Sequence, residues 1–381
     1  MYEDPQNRVT LTVGGKAYRG WTGVQVEAGI TVLARAAQVT ATRPSSTASA
    51  VDGIEDGLEC VLKIGSDTVL TGYITGKTVT YSATTVSITV TMKSKTVDLV
   101  ECSIPFGKPR KWAKSTAAAV VTAIAGFYGI DVVTNGLGTK KHDFDAPAGG
   151  TIGTYLLKVL RDDSLLLSDD EFGRLVIVDA GNGGTASEPL VYGENILSGS
   201  RVHDATGIFT DYVVIGQGAD PKSENTTPAN ALKGTARNPG FKRTRWQITE
   251  QSGNKTLADL RKRATLLMRN SIGMADTVTY TVHGWRQNGS GELWRPNLLT
   301  TVEDGMLDIS GKLVTGKVTL TRDDSGTVTS LELQAPEAWL VTDLPDDPKV
   351  KPKAVGSPKA NGTTYLAKAH SGEIHKKEGT T

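Results

Sequence analysis

Over residues 85–92 a Thr or Ser alternates with an apolar side chain without a break: Val86, Ile88, Val90 and Met92 leave an extended chain on one side, Thr85, Ser87, Thr89 and Thr91 on the other. Strict period two over eight residues predicts a half-buried antiparallel strand. The composition extends that reading along the chain. There are 48 threonines, which favour strands, and 42 glycines with 15 prolines, which punctuate turns. The first hundred residues accordingly read as short strands. Val9, Leu11 and Val13 alternate with polar residues, Gly14-Gly15 suits a hairpin turn, and Trp21, Val24 and Val26 form a second apolar set. Residues 43–49 have no period and are expected to form a mobile surface loop.

The pattern changes from Lys108. A helix is predicted from a Ser115 cap to Phe127, with Val120, Val121, Ile124 and Phe127 in one apolar stripe. Residues 151–162 predict a second helix, with Ile152, Leu156, Val159 and Leu160 inward. Residues 165–167 and 175–178 read as two strands of a hairpin around 169–173. Strand patterns resume at 212–215. Residues 218–240, rich in Gly, Pro, Asn and Thr, read as a long excursion. The best helix is 255–270, followed by strands at 278–282, 298–302, 318–320 and 331–333, with Asp323-Asp324-Ser325-Gly326 as the last turn. From Thr342 the prolines 345, 348, 352 and 358 break any helix, and residues 349–381 hold seven lysines against two glutamates. That segment is expected to be a flexible, basic tail.

The fold class expected is therefore α+β, mostly β. Residues 1–105 are expected to form a first β domain, 106–190 an inserted α+β domain, 191–342 a second, barrel-like or sandwich-like β domain with an inserted loop and helix, and 343–381 the tail. Two β domains flanking an insert could be a distant duplication. The chain has 42 basic and 41 acidic side chains, which argues against a nucleic-acid coat or polybasic membrane binder. No run approaches the ~18 apolar residues of a membrane span, and the start, Met1-Tyr2-Glu3-Asp4-Pro5, lacks the character of a signal peptide. The chain is expected to fold in a cytosol. Cys60 and Cys102 could in principle form a disulfide; without an export signal they read as two reduced core residues.

Chemical motifs are sparse. Residues 72–78, Gly-Tyr-Ile-Thr-Gly-Lys-Thr, fall one residue short of a P-loop and precede no helix, so they read as a strand turn. His370, His375 and Glu373 could meet on a metal, but a mobile tail opposes a tight site, and His142-Asp143-Phe144-Asp145 reads as a surface turn. Asp162-Asp163 and Asp169-Asp170-Glu171 offer carboxylate pairs of the kind glycoside hydrolysis uses, yet they read as solvated faces with nothing nearby to raise a pKa. Lys108-Pro-Arg110-Lys111-Trp112 and the Arg237, Lys242, Arg243, Arg245-Trp246 group interleave bases with tryptophan, as nucleic-acid surfaces do and as interface rims do equally. No residue is assigned a catalytic, cofactor-binding or metal-binding role, and no cofactor is expected.

Three stretches together carry a resemblance. The first is Tyr18-Arg-Gly-Trp21-Thr-Gly-Val24-Gln-Val26-Glu-Ala-Gly-Ile30. The second is Thr71-Gly-Tyr73-Ile74, the strand from Val86 to Met92, and Lys93-Ser-Lys95-Thr96-Val-Asp98-Leu99. The third is Gly291-Glu-Leu293-Trp294-Arg-Pro296-Asn297-Leu298-Leu299 with Ala335-Pro336-Glu337-Ala338-Trp339. In order and spacing, up to about residue 342, the chain resembles the Mu-like baseplate hub (tail) proteins of contractile-tailed phages.

The resemblance implies a structural, non-enzymatic virion protein assembled in the host cytoplasm. It implies a homotrimer whose two similar barrels per chain make a pseudo-sixfold ring, an architecture shared with type VI secretion spike proteins. Its implied partners are the tail tube protein, the central membrane-piercing spike and baseplate wedge proteins, with DNA or the tape-measure protein passing through the channel during genome ejection and host cell entry. The alternatives are a tail-associated peptidoglycan hydrolase, which would need Asp169 and Glu171 or their neighbours, and a carbohydrate-binding adhesin, for which few aromatics are to spare. Trp21, Trp294 and Trp339 are expected as core anchors.

Overall fold

Turn chemistry sets the first two strands. Gly14 and Gly15 both take positive φ, +55° and +79°, the conformation a two-residue hairpin needs. They join β1 (Val9–Val13) to β2 (Lys16–Tyr18). Then come β3 (Gly23–Gly29), β4 (Ala36–Pro44), β5 (Glu59–Ile64), β6 (Asp67–Tyr81) and β7 (Thr85–Ser94). Next are α1 (Val97–Glu101), β8 (Lys111–Thr116), α2 (Ala117–Ala125), β9 (Val132–Val133), β10 (Lys141–Asp145), α3 (Ile152–Arg161), β11 (Leu166–Asp169) and β12 (Leu175–Val178). The chain continues through β13 (Leu190–Val191), β14 (Ile196–His203), β15 (Asp211–Gly216), β16 (Lys233–Arg237), β17 (Trp246–Gln251) and α4 (Leu257–Met274). It ends in β18 (Asp276–His283), β19 (Leu299–Asp304), β20 (Ile309–Asp323), β21 (Gly326–Gln334) and α5 (Pro336–Trp339). This computed structural model describes residues 4–44, 54–161, 165–216, 232–251 and 256–339. The expected basic tail, its histidines, the Asp162-Asp163 pair, residues 45–49 of the expected loop and residues 218–231 of the excursion lie outside them.

The chain is mostly β, as expected, but the two β regions are not separate closed barrels. They are one continuous 13-stranded sheet, in the order β14-β18-β21-β20-β3-β4-β7-β6-β5-β1-β2, with β19 on β20 and β13 on β19. The join is the antiparallel pair β3·β20, running from Lys317 opposite Gly29 to Arg322 opposite Val24. One apolar cluster runs under both parts, from Leu11, Val39 and Leu62 to Tyr280, Leu320 and Leu331. Alternation decides which face of a strand is buried, and it is silent on which edge meets which neighbour. That is why sequence reading separated two sheets that the backbone fuses.

Within the fused sheet the same substructure occurs twice. β4-β7-β6-β5 and β18-β21-β20-β19 have the same order. Their long strands β6 and β20 each have 15 residues. Adding 241 to a residue number carries the β4·β7 and β7·β6 registers onto β18·β21 and β21·β20: Ala36 opposite Lys93 becomes Thr277 opposite Gln334, and Lys77 opposite Val90 becomes Val318 opposite Leu331. Even the bulge coincides, between Ile74 and Gly76 in β6 and between Thr315 and Lys317 in β20. A bulge adds one residue to one strand and turns its direction, so the shared position gives both halves the same bend.

The segment Gly72 to Thr78, expected as a turn, is the middle of β6 and contains its bulge. Gly72 serves close packing there, because a Cβ at that point would lie 1.8 Å from the Lys93 carbonyl oxygen. Between the halves, α2 and α3 pack with β9, β11 and β12 around Val121, Ile124, Leu156 and Leu175. The α2 cap is Thr116, not Ser115: its Oγ1 accepts from the Ala119 N–H at 3.2 Å. The helix ends at Ala125, where a single 3₁₀ turn leads to Gly129 at φ +67°. His142-Asp143-Phe144-Asp145 is strand β10, paired with β8, rather than a turn. Part of the expected excursion is likewise strand, β16, which flanks β15 in the small sheet β16-β15-β17. Helix α4 covers that sheet through Leu260 and Ala264 and starts with a capping box between Thr256 and Asp259.

Candidate functional site

The acidic residues considered from sequence do not converge on a reactive centre. Asp169 ends β11 buried, not solvated. Its Oδ2 accepts from the Arg35 backbone N–H at 3.0 Å and from Arg35 Nε at 3.2 Å, while Arg35 Nη2 donates to the Asp169 carbonyl at 3.0 Å and Nη1 to the Val69 carbonyl at 3.1 Å. Burial pushes the Asp169 carboxyl above the usual range; the Arg35 charge and hydrogen bonds pull it back without offsetting the burial. The expectation that nothing would raise a pKa in this cluster is thus corrected for Asp169. Asp170 accepts from its own hairpin, at the Phe172 and Arg174 amides and Arg174 Nε, and Glu171 lies 3.8 Å from Arg35. The cluster fastens the β11–β12 hairpin to the large sheet. Gly173 supports the same contact, with space for its Cβ blocked at 2.7 Å by the Thr71 carbonyl oxygen.

Among the described residues no group of three His, Cys, Asp or Glu side chains is arranged to hold a metal. Cys60 and Cys102 are both free thiols, the first buried and the second half-buried. Burial pushes the Cys60 thiol up to about 12, against a backbone hydrogen bond at Gly72, so it is inert as a nucleophile at neutral pH. A cavity of about 340 Å³ lies beside α3, lined by Asp145, Thr151, Thr154, Tyr155 and Lys158 among others. Asp145 there pairs with Lys111 at 3.0 Å.

The two Trp-basic segments serve separate local packing. Trp112 packs against the α2–α3 core. Arg245 donates to the Ala205 and Ile208 carbonyls and lies 4.6 Å from the Phe209 ring centre, whereas Trp246 is exposed. Trp21 and Trp294 are buried in the main core and Trp339 packs on Ile30 and Val314, as the core reading expected.

What sequence reasoning missed is at the sheet edges. The half of β6 beyond its bulge pairs with β7 on one side, and no described strand pairs with it on the other. Its open edge carries Val79 and Tyr81, 53% and 82% exposed. β14 pairs with β18 and forms the end of the sheet, with Leu197 and Val202 exposed at 59% and 60%. Exposed apolar side chains on unpaired strand edges mark surfaces for another chain. The available signal was composition: Lys77-Thr-Val-Thr-Tyr81 has strand-forming residues, one lysine and no proline to guard an edge.

Comparison with known proteins finds phage tail proteins similar to this chain. Residues 8–94 match the family model described as Mu phage baseplate assembly protein GpP-like, N-terminal. Residues 96–179 match the second domain of baseplate hub protein gp44-like, and residues 256–342 the fourth domain of Mu phage baseplate assembly protein GpP. The baseplate hub protein gp44 of Escherichia phage Mu is 29% identical over 346 residues, covering 88% of this chain and 89% of that protein. The 43 kDa tail protein of prophage MuSo2 from Shewanella oneidensis has a similar fold, with a TM-score of 0.78 at 24% identity over 88% of this chain and 100% of the other. The tail protein from Neisseria meningitidis MC58 gives 0.74 at 20% identity over 88% and 98%. An Escherichia coli component of the type VI secretion system gives 0.52 at 12% identity over 85% and 76%.

Proposed function

We propose that this chain, a baseplate hub protein of the Mu-like phage tail family, works as a homotrimeric ring of pseudo-sixfold symmetry. The ring joins the sixfold tail tube to the threefold membrane-piercing spike and leaves a channel for the genome and the tape-measure protein. It is a structural part of the virion, assembled in the host cytoplasm, with wedge proteins as further neighbours. In this reading residues 1–105 and 191–342 build the ring, and residues 106–190 sit at its periphery.

The observation that carries the reading is the register repeat at an offset of 241, bulge included. Three identical subunits can offer six matching faces only if each presents two similar ones. A duplicated half-sheet supplies them through backbone geometry alone. The carboxylates a hydrolase would use do not support that alternative, because Asp169 is already engaged by Arg35.

Light scattering on the purified chain, alone and with the spike protein, tests the proposal. The expected mass is three times 40.4 kDa, with class averages from electron microscopy showing a ring of six lobes. A stable dimer, or a monomer at every concentration with or without the spike protein, overturns it.

A further inference from the structure

We propose that the open half of β6 in one copy pairs, antiparallel and head to tail, with β14 of the next copy, in the register that puts Thr78 opposite Val202 and Thr80 opposite Ser200. The proposal rests on the ring reading and adds the strands and register that close it.

The seam inside the chain supplies the template. There β20 pairs with β3, Thr319 opposite Glu27 and Thr321 opposite Gln25. Subtracting 241 from the β20 numbers turns Thr319 and Thr321 into Thr78 and Thr80, which are threonines too. The β3 residues are carried across by their other neighbours. Glu27 pairs with Ala36 as Val202 pairs with Thr277, and Gln25 pairs with Gln38 as Ser200 pairs with Thr279. Both translations agree with the 241 offset that relates β4 to β18. Thus β14 is to the second half what β3 is to the first, and the outer half of β6 is to the first half what that of β20 is to the second. One of the two equivalent seams is made within the chain. The other is left as two spare edges, one on β14 and one on the outer half of β6.

The exposed side chains fit that occupant. Leu320, the counterpart of Val79, lies in the main core beside the seam and is only 4% exposed, whereas Val79 is 53% exposed. A second copy of the chain is the only occupant for which the register is already written, because it brings a β14 edge that matches the β3 edge the first copy uses internally.

Cysteine pairs in the full-length chain test the register. Directly opposed residues of antiparallel strands lie about 4.5–5.5 Å apart at Cα, within disulfide reach. Under mild oxidation T78C/V202C and T80C/S200C are expected to give covalent dimers and trimers on non-reducing gels. Single variants give none, and a mixture of T78C with V202C chains stops at dimers. The displaced pair T78C/S200C, two residues out of register and so roughly 7–8 Å apart on the diagonal rather than about 5 Å, beyond the usual disulfide span, is expected to cross-link at least tenfold less. In the unmodified chain, hydrogen exchange is expected to slow at residues 76–81 and 199–203 when monomer is concentrated into trimer. A trimer with no such protection, or one that prefers the displaced pair, overturns the register and leaves the ring standing. A chain that never associates overturns both.

Discussion

Replacing Arg35 by Met removes a buried charge while keeping most of its apolar stem. The side chains of Arg35 and Asp169 are 9% and 0% exposed, and four hydrogen bonds join Arg35 to Asp169 and Val69. Only the backbone one survives in R35M. Stranding one partner of such a pair costs about 3–5 kcal/mol. With an unfolding entropy of roughly 2.1 cal/mol/K per residue, about 0.8 kcal/mol/K for a chain of this length, the melting temperature should fall by about 4–6 °C. The sign of the pH dependence is fixed by Asp169. Burial raises its folded pKa above the unfolded value, so the wild type loses stability as pH rises from about 3.9 through the raised value. Without Arg35 that value climbs further. The deficit of R35M is therefore larger at pH 7.5 than at pH 5. Calorimetry of wild type, R35M, D169N and R35M/D169N at both pH values measures this, and the double variant should recover part of the loss. A shift below about 1 °C at pH 7.5, or a deficit that grows on acidification, would refute the assignment of Arg35 and Asp169 as a stabilising buried pair.

Gly72→Ala would drive a Cβ to 1.8 Å from the Lys93 carbonyl oxygen, a backbone clash that only separation of β6 from β7 can relieve. A loss of more than about 3 kcal/mol is expected, read as a large drop in melting temperature or in soluble yield. Asp276 on β18 tests the open end of the sheet. Burial pushes its carboxyl up, but the hydrogen bonds and charges of Arg201 and His203 outweigh it and hold the carboxyl below the usual range. A depressed carboxylate stabilises above its unfolded pKa and loses that contribution as pH falls through the folded one. D276N should therefore melt below wild type at pH 7, with the gap starting to close below the unfolded pKa of about 3.9, and equal melting temperatures at pH 7 would contradict this.

Local chemistry was legible where a rule of period or turn geometry acts alone. The alternation of β7, the Gly14-Gly15 hairpin, the span of α3 and the burial of Trp21 and Trp294 all follow from residues within a dozen positions. What escaped depends on partners far along the chain. Asp169 looked solvated because its partner Arg35 is 134 residues away. His142 to Asp145 looked like a turn because the segment is polar, whereas its strand conformation comes from pairing with β8. The open edges were illegible for the same reason: a strand's sequence says what it can pair with, and only the sheet order says which edge is left over.

That leftover also constrains the kind of assembly. A two-fold dimer joined through a single seam would have to oppose β14 to β14, or β6 to β6, and either choice leaves the other edge bare. Head-to-tail pairing uses both edges of every copy and repeats a single seam geometry. Whether such a chain of seams closes or runs on as a helix depends on the turn per seam, and a ring of three copies needs each of its six seams to supply one sixth of a revolution. The bulge beside β3·β20 sets that turn. Its Gly316 carbonyl accepts from the Ile30 N–H at 2.9 Å, and a Cβ at Gly316 would meet the Trp339 ring at 2.8 Å. The counterpart in β6 is Thr75, which is exposed. Within one chain the β3·β20 seam is thus held by packing at Gly316, and in the proposed ring this covalent half fixes the angle that the second seam must copy.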